Sequence, residues 1–273
     1  MNANSRNSHK VTRLIPILAC ACTGFYLLVA ASAHSADQPL KYESPELLTG
    51  SIYAQDSGQK QVLFKFKRVA KRSGSTLTVL REYTYPDGKH AAREQVTYHG
   101  DNLVSYALEE LQCGSVGSAR IQRAPDNPGK GNIDFEYRPN LASPARPKTS
   151  SESLRGDTIN SDMVATFLST HWAELASGTK VRCRYLVVPR RETVGFTFVK
   201  DSESTFQGKP VFIIRMEATS LIIAALVDPV LFTVEAGGKH RLLQYVGRVT
   251  PKAKKGDDWV DLDAVAVYDW PAP

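Results

Sequence analysis

The feature that most constrains this chain is an alternation of apolar and polar residues with a period of two. Phe64 and Phe66 stand on either side of Lys65, and the same alternation returns in residues 76–85 and 194–198. Successive side chains of a β-strand point to opposite faces, so the pattern predicts strands with one buried and one solvated face. Such strands are typical of antiparallel sheets.

Turn residues separate these strands at short intervals. Residues 86–88 read Pro-Asp-Gly, residues 100–102 read Gly-Asp-Asn, and residues 237–238 are both glycine. Glycine and asparagine accept the positive φ that tight hairpin turns require. The alternating segments and the turns between them therefore predict a meander of about a dozen strands joined in sequence order.

One amphipathic helix is predicted between residues 160 and 178. Asn160, Ser161 or Asp162 can cap its start, and Gly178 can end it. Its large apolar residues cover about half of the helical wheel, which is wider than the stripe of an ordinary surface helix. We therefore expect a mainly β fold in which a curved antiparallel sheet, a half-barrel or open barrel, wraps this helix. The apolar residues are Met163, Val164, Phe167, Leu168, Trp172 and Leu175.

A second apolar segment covers residues 220–227 and reads Ser-Leu-Ile-Ile-Ala-Ala-Leu-Val. It stops at Asp228, because a proline follows and disfavours helix in the residue before it. The segment is apolar on every side and too short to span a bilayer. We expect a short helix here that is buried, covers an apolar cavity as a lid, or forms a contact face.

The N-terminus predicts export from the cytoplasm. Residues 1–13 carry three basic residues and no acid, residues 14–33 are almost wholly apolar, and small residues follow. This is the pattern of a secretory signal peptide, here residues 1–36. The alternatives are an uncleaved anchor or a lipoprotein modified at Cys20. Each places residues 37–273 in the periplasm or outside the cell, with membrane contact only through this segment or during ligand exchange.

The charge of the chain argues against a nucleic-acid partner. The net charge is +6, but residues 1–36 contribute three basic groups and no acid, which leaves +3 for the remainder. That excess is too small to indicate a basic nucleic-acid surface. The apolar fraction of 42% excludes a chain that is disordered throughout.

Two cysteines remain in the exported part, Cys113 and Cys183. In an oxidising compartment they are candidates for one disulfide. It would close a loop of 70 residues, which stabilises a fold by roughly 4 kcal/mol in the chain-entropy model. Two separate buried thiols are the equally open alternative.

The stretch 139–156 interrupts the strand pattern. It contains three prolines and a Lys-Thr-Ser-Ser-Glu-Ser run, so it can bury little. We interpret it as a Pro/Ser-rich surface loop within a single β-rich domain that covers residues 37–273.

Signatures of known chemistry are missing from the sequence. It has no Gly-x-Ser-x-Gly elbow, no His-Glu-x-x-His, no P-loop and no dinucleotide glycine fingerprint. No spacing of histidines, cysteines or acids indicates a metal site. We therefore expect no catalytic residues, no metal and no cofactor, and a protein that is not an enzyme; a hydrolase with an irregular site is the remaining alternative.

Four polar or aromatic residues are candidates for contact with a ligand. His171 falls within the apolar stripe of the predicted helix, next to Trp172, and could meet the polar head of a ligand or hydrogen-bond within the core. Arg182 and Arg184 share one face of a mostly apolar strand. Their planar guanidinium groups suit a carboxylate or phosphate, or they lie at the rim of the sheet with their charges in solvent.

Two segments resemble known bacterial proteins. Residues 172–196, WAELASGTKVRCRYLVVPRRETVGF, and residues 218–234, ATSLIIAALVDPVLFTV, are similar to uncharacterised β-rich periplasmic proteins that carry a domain of unknown function. The predicted plan, a signal peptide followed by a meander around one helix, also resembles the lipoprotein carriers LolA and LolB. That second resemblance implies an apolar concave face that holds acyl chains, and it assigns no residue a role.

We therefore expect a non-enzymatic cell-envelope protein that binds an apolar or amphipathic ligand, such as a lipid, between sheet and helix. A structural or protein-interaction module of the periplasm, with an envelope protein as its partner and no small ligand, is the alternative. The candidate ligand contacts are Leu221, Ile222, Ile223, Leu226, His171, Trp172, Arg182 and Arg184.

Overall fold

The computed structural model describes residues 45–140, 146–224 and 228–270. The predicted signal or anchor segment, residues 1–36, lies outside this described part. Within it the chain forms 15 β-strands and three short α-helices. No helix of the described part is long and apolar enough to cross a membrane.

The first eight strands are neighbours in the sheet in the order in which the chain makes them. Each pairs with the next in antiparallel register, so this half is a continuous meander. The strands are β1 (Leu47–Ala54), β2 (Val62–Ser73), β3 (Thr76–Thr84), β4 (His90–His99), β5 (Asn102–Glu110), β6 (Ser115–Ala124), β7 (Asn127–Arg138) and β8 (Lys148–Ser153).

The remaining strands form the other half of the same sheet. The last strand pairs with β1, and from there the order runs backwards along the chain to β9. The pairing of β9 with β10 is parallel, unlike the all-antiparallel arrangement that the sequence predicts, because a helical crossover joins these two strands. The strands are β9 (Thr158–Ile159), β10 (Val181–Val187), β11 (Glu192–Phe206), β12 (Lys209–Ala218), β13 (Val230–Glu235), β14 (Leu242–Lys255) and β15 (Asp258–Asp269).

The sheet is curved and open, and its two edges are β8 and β9. Side chains of β8 nevertheless reach the β10–β11 hairpin. Glu152 accepts a hydrogen bond from the backbone N–H of Thr193 at 2.8 Å, and the Ser150 hydroxyl donates to the carbonyl of Arg191. The curvature therefore brings the two ends of the sheet together without a backbone ladder between them.

The predicted amphipathic helix is present as two consecutive helices, α1 (Val164–Thr170) and α2 (Trp172–Ala176). The interruption is at His171, whose φ and ψ are −97° and 23°. It is a local distortion, because the N–H of Leu175 still bonds to the carbonyl of His171 at 3.0 Å. The predicted short apolar helix is confirmed as α3 (Leu221–Ala224).

The main core lies between the concave face of the sheet and the first two helices. Phe167, Leu168 and Leu175 are buried there, and the rings of Phe167 and Phe198 lie 5.1 Å apart. These contacts confirm the prediction of a curved sheet around a helix. Strand residues that complete this core include Val79, Tyr98, Phe135, Ile214 and Phe232.

The prediction of a loop over 139–156 is wrong in part. Lys148–Ser153 form β8, which pairs with β7. Serine and threonine are accommodated on this edge strand, because it packs against one neighbour only and both of its faces stay largely in solvent. Residues 141–145 of the predicted loop lie outside the described part.

We expect Gly50→Ala to destabilise the fold by about 1–3 kcal/mol, because added atoms strain a packed site. A Cβ on Gly50 would lie 2.2 Å from the carbonyl oxygen of Val267 and 2.3 Å from the ring of Phe66. Urea unfolding followed by circular dichroism measures the effect. Gly237→Ala is the matched control, since nothing lies within 4 Å of a Cβ there. Equal stability of the two variants would contradict the packing at Gly50.

Candidate functional site

Three charged side chains lie next to one another on the inward face of the sheet. The register pairs Arg68 of β2 with Arg81 of β3, and Arg81 with Glu94 of β4. Arg68 and Glu94 are almost fully buried, and the Arg81 guanidinium lies 3.3 Å from Glu94. Like charges directly opposite each other destabilise a sheet. The two arginines therefore need a second carboxylate between them.

Asp162, just before α1, supplies that carboxylate. One of its oxygens lies 2.6 Å from Nε of Arg68 and 3.4 Å from Nη2 of Arg81, and the other accepts the Tyr98 hydroxyl at 3.0 Å. The Asn160 side chain accepts the backbone N–H of Asp162 at 2.8 Å, which shapes the turn that presents it. Asp162, predicted only as a possible helix cap, thus fixes the start of α1 to the sheet.

Glu94 is held from three further directions. It accepts the hydroxyl of Tyr83 at 3.2 Å, that of Ser161 at 2.9 Å, and that of Thr250. Thr250 lies in a stretch of β14 where the register with β15 shifts, between Val249 and Ala253. This irregularity lets β14 reach Glu94 on the other side of the concave face.

We call Arg68, Arg81, Glu94 and Asp162 the charge cluster. Its two cations balance its two carboxylates. Burial opposes the charge on Arg81, but Tyr83, Glu94 and Asp162 outweigh it and raise the pKa of Arg81 above its ordinary value.

The tyrosines around the charge cluster stay protonated. Burial, followed by the nearby carboxylates, raises the pKa of Tyr83 and of Tyr98, so both remain hydrogen-bond donors. Each carboxylate oxygen of Glu94 and Asp162 accepts two hydrogen bonds. Among the described residues no group of three histidines, cysteines or acids could hold a metal ion. The arginines of the charge cluster thus hold the carboxylates of Glu94 and Asp162 in place.

The apolar segment predicted as a lid or contact face lies partly at the surface. Ile222 in α3 is 77% exposed, the largest exposure of any bulky apolar side chain among the described residues. Ile223 is half-buried. Leu221 opens α3, and Leu226 lies outside the described residues. Ile222 is therefore not buried, so the first of the three alternatives for this segment is wrong for this residue.

Arg182 and Arg184 lie on the outer face of β10. They alternate with Val181 and Cys183, which are buried in the core. Arg182 is exposed, whereas Arg184 donates from Nε to the hydroxyl of Thr193 at 2.9 Å. Arg182 therefore has its charge in solvent, as in the rim alternative, whereas the Arg184 guanidinium is half-buried against Thr193, and neither lines the concave face.

A row of paired residues across three neighbouring strands shows where Arg184 lies relative to α1 and α3. Thr158, Arg184 and Gly195 are paired across β9, β10 and β11, and the N–H of Thr219 donates to the Gly195 carbonyl at 2.9 Å. Since α1 follows shortly after Thr158 and α3 follows Thr219, both helices begin at the same end of the sheet.

His171 and Trp172 lie farther along the concave face. Trp172 stacks between the rings of Phe212 and His240, with centroids 5.1 and 4.0 Å away, and His171 lies 3.4 Å from the carboxylate of Glu174. Phe212 lies six residues before the end of β12, where the chain continues to α3. Six residues of a strand span about 20 Å. The structure therefore brings Arg184 near α3 and separates both from Trp172, whereas His171 packs on Phe167, whose ring contacts Phe198 opposite Val181.

The two cysteines are free thiols in the structure. Cys183 is buried on β10, and burial raises the pKa of its thiol. The Cys113 sulfur lies 3.0 Å from the Ser115 hydroxyl oxygen in the turn after β5. The predicted disulfide is thus absent between these described residues, and the alternative of two separate thiols applies.

Two surface depressions, of about 460 and 500 Å³, lie on polar parts of the sheet. Arg120, Gln122 and Asp134 line the first, and Lys65, Lys67 and Glu82 line the second. Neither has the largely apolar lining of a typical small-molecule pocket. The apolar surface of the concave face is instead covered by α1 and α2.

No family model and no curated protein matches this sequence. Among solved structures, the chain is similar to a β-barrel-like protein of the domain of unknown function DUF1849 from Brucella abortus. The two are 8% identical, with a TM-score of 0.36 over 83% of this chain and 96% of that one.

Proposed function

We propose that this protein is a non-enzymatic protein of the cell envelope that binds an apolar or amphipathic ligand between its curved sheet and α1. The ligand class is that of lipids and similar amphiphiles. The predicted signal segment, residues 1–36, supports the envelope location. The binding role follows from the placement of exposed apolar surface.

The observation that carries this proposal is the exposure of Ile222 in α3. Burying an isoleucine side chain stabilises a protein by about 1.5–3 kcal/mol, so contact between the exposed Ile222 side chain and a ligand would be favourable. The helix begins at the same end of the sheet as α1. This position supports our proposal that residues of α3 contact a ligand that enters at that end.

Charge near α3 suits an amphipathic ligand. Arg182 is exposed on the outer face of β10, and Arg184 lies in the row that leads to α3. A guanidinium group can bind a phosphate or carboxylate with two parallel hydrogen bonds. We assign Arg182 the first contact with a polar head and α3 the contact with the apolar chain, while Arg184 is held by Thr193.

We expect Ile222→Asp to weaken binding of a fluorescent long-chain amphiphile about 10-fold or more, because the apolar contact of one large side chain is lost. The stability of the fold should change by less than about 0.5 kcal/mol, since the residue is exposed. Fluorescence titration gives the affinity, and urea unfolding gives the stability.

The matched control is Val104→Asp, an exposed apolar position on β5. It should leave binding unchanged and lower stability by no more than about 1 kcal/mol, the span of strand propensities. Loss of folding in Ile222→Asp, or equal binding by the two variants, would refute a contact role for α3.

The second candidate function is a protein-interaction module without a small ligand. It is favoured by the close packing of α1 on the sheet, where Phe167 and Leu168 are 2% and 0% exposed. In that case α3 would contact an envelope protein. A protein that binds no amphiphile but associates with a partner through Ile222 would support this candidate over the first.

A further inference from the structure

Residues 162–175, which we call the plug segment, have the chemical layout of an amphiphile. A carboxylate, that of Asp162, stands at one end, and buried apolar side chains follow it along α1 and α2. The segment spans 13 residues beyond Asp162, about 20 Å if fully helical. A long-chain fatty acid has the same order of groups, with a carboxylate head followed by an apolar tail. The apolar residues are Met163, Val164, Phe167, Leu168 and Leu175.

The surface that receives the plug segment has matching chemistry. Arg68 and Arg81 are adjacent on the inward face, and both reach the Asp162 carboxylate, at 2.6 and 3.4 Å. Buried apolar side chains such as Phe198 and Ile214 line the face that receives the tail. Without the plug segment, this face would present paired guanidinium groups beside a concave apolar surface.

The plug segment is held to the sheet by its side chains and not by a backbone ladder among the described residues. The helices α1 and α2 have only seven and five residues, and helices this short are marginal without tertiary packing. Upstream of the segment is β9, a strand of two residues, and downstream is Gly178, whose φ of 81° ends α2. Few backbone hydrogen bonds therefore oppose its withdrawal.

We propose that the plug segment occupies the binding site of a carboxylate-headed amphiphile, whose head displaces Asp162 from Arg68 and Arg81. This inference rests on the proposed function and adds the head-group chemistry, the site and an autoinhibitory contact. The ligand and the plug segment compete for the same arginines and the same apolar face.

Hydrogen exchange of the wild-type protein tests the competition. We use oleate below its micelle-forming concentration, and oleyl alcohol as a probe with the same chain and no charge. Oleate should lower the protection of amides in residues 163–175, because the displaced helices lose their packing. Oleyl alcohol should leave these amides protected.

Two substitutions test the charges. Asp162→Asn should bind oleate about 10-fold more tightly, because the competing carboxylate is gone, and Arg81→Met should bind it about 10-fold more weakly. Asp134→Asn, on the outer face beside Gln122, is the matched control and should bind like the wild type. If Asp162→Asn fails to fold, hydrogen exchange in the wild-type protein still tests the proposal.

The outcomes separate this inference from the proposed function. Binding of oleate and oleyl alcohol with equal affinity, and unchanged exchange in residues 163–175, would overturn the plug and leave an amphiphile-binding protein. The absence of binding to either probe, in the wild type and both variants, would overturn the proposed function and the plug together.

Discussion

Replacing Asp162 with alanine should lower the free energy of unfolding by about 3–5 kcal/mol, the cost of removing one partner from a buried ion pair. Arg68 is 1% exposed and would keep its charge without the carboxylate that now lies 2.6 Å away. Arg81 would lose one of its two carboxylates, and the start of α1 would lose its attachment to the sheet. Urea unfolding monitored by circular dichroism measures the loss.

Two control variants test whether the loss of stability comes from the broken ion pair. Asp134→Ala, on the outer face, should change stability by less than about 0.5 kcal/mol. The double variant Arg68→Met with Asp162→Leu should recover part of the loss, because apolar residues of similar volume can replace a buried pair. Glu94 remains in that variant to balance Arg81. A loss below 1 kcal/mol in Asp162→Ala would show that the charge cluster does not hold α1.

Replacing Phe167 with alanine should cost about 3–5 kcal/mol, as expected when a buried aromatic side chain leaves a cavity. Phe167 is 2% exposed and its ring contacts Phe198 at a centroid distance of 5.1 Å. It lies where α1 meets the middle of the concave face, so the cavity would open between the two layers. The same unfolding experiment gives the magnitude.

Ile222→Ala is the apolar control for this second prediction. Its side chain is 77% exposed, so truncation should change stability by less than about 0.5 kcal/mol. A similar loss in both variants would contradict the assignment of Phe167 to the core and of α3 to the surface.

The sheet and its helix could be predicted because their signals are local. Alternation in residues 62–67 and the glycine-containing turns specify strands and hairpins, and sequential strands of a meander pair with their neighbours. The wide apolar stripe of residues 163–175 required cover on several sides, which the curved sheet provides. The break at His171 could not be foreseen, since the residue itself is compatible with a helix.

The charge cluster was missed although its signal is present. Arg68 is in phase with Phe64 and Phe66, and Glu94 is in phase with Val96 and Tyr98, so alternation places both on the buried face. A charge in such a position needs a partner. The partner of Arg68 is Asp162, which is 94 residues away, and no local pattern identifies so distant a contact.

The relative positions of the candidate ligand-contact residues could not be predicted from the sequence either. Trp172 precedes Arg182 by only ten residues, yet its ring stacks on Phe212 of β12, whereas Arg182 lies on the outer face of β10. Similarly, β8 was hidden because its polar residues resemble a loop, and only its pairing with β7 makes it a strand. The positions of the candidate contacts and the formation of β8 both depend on how strands pair with one another. Sequence periodicity does not reveal that pairing.

Native mass spectrometry tests the central claim, that this protein holds an amphipathic ligand, most directly. The protein would be isolated without detergent from the envelope fraction of the cells that produce it, and its bound material would be released by solvent extraction. We expect a reproducible added mass that resolves into an amphiphile with an acidic head. A bare polypeptide mass, or an added mass that is a second protein, would contradict the claim.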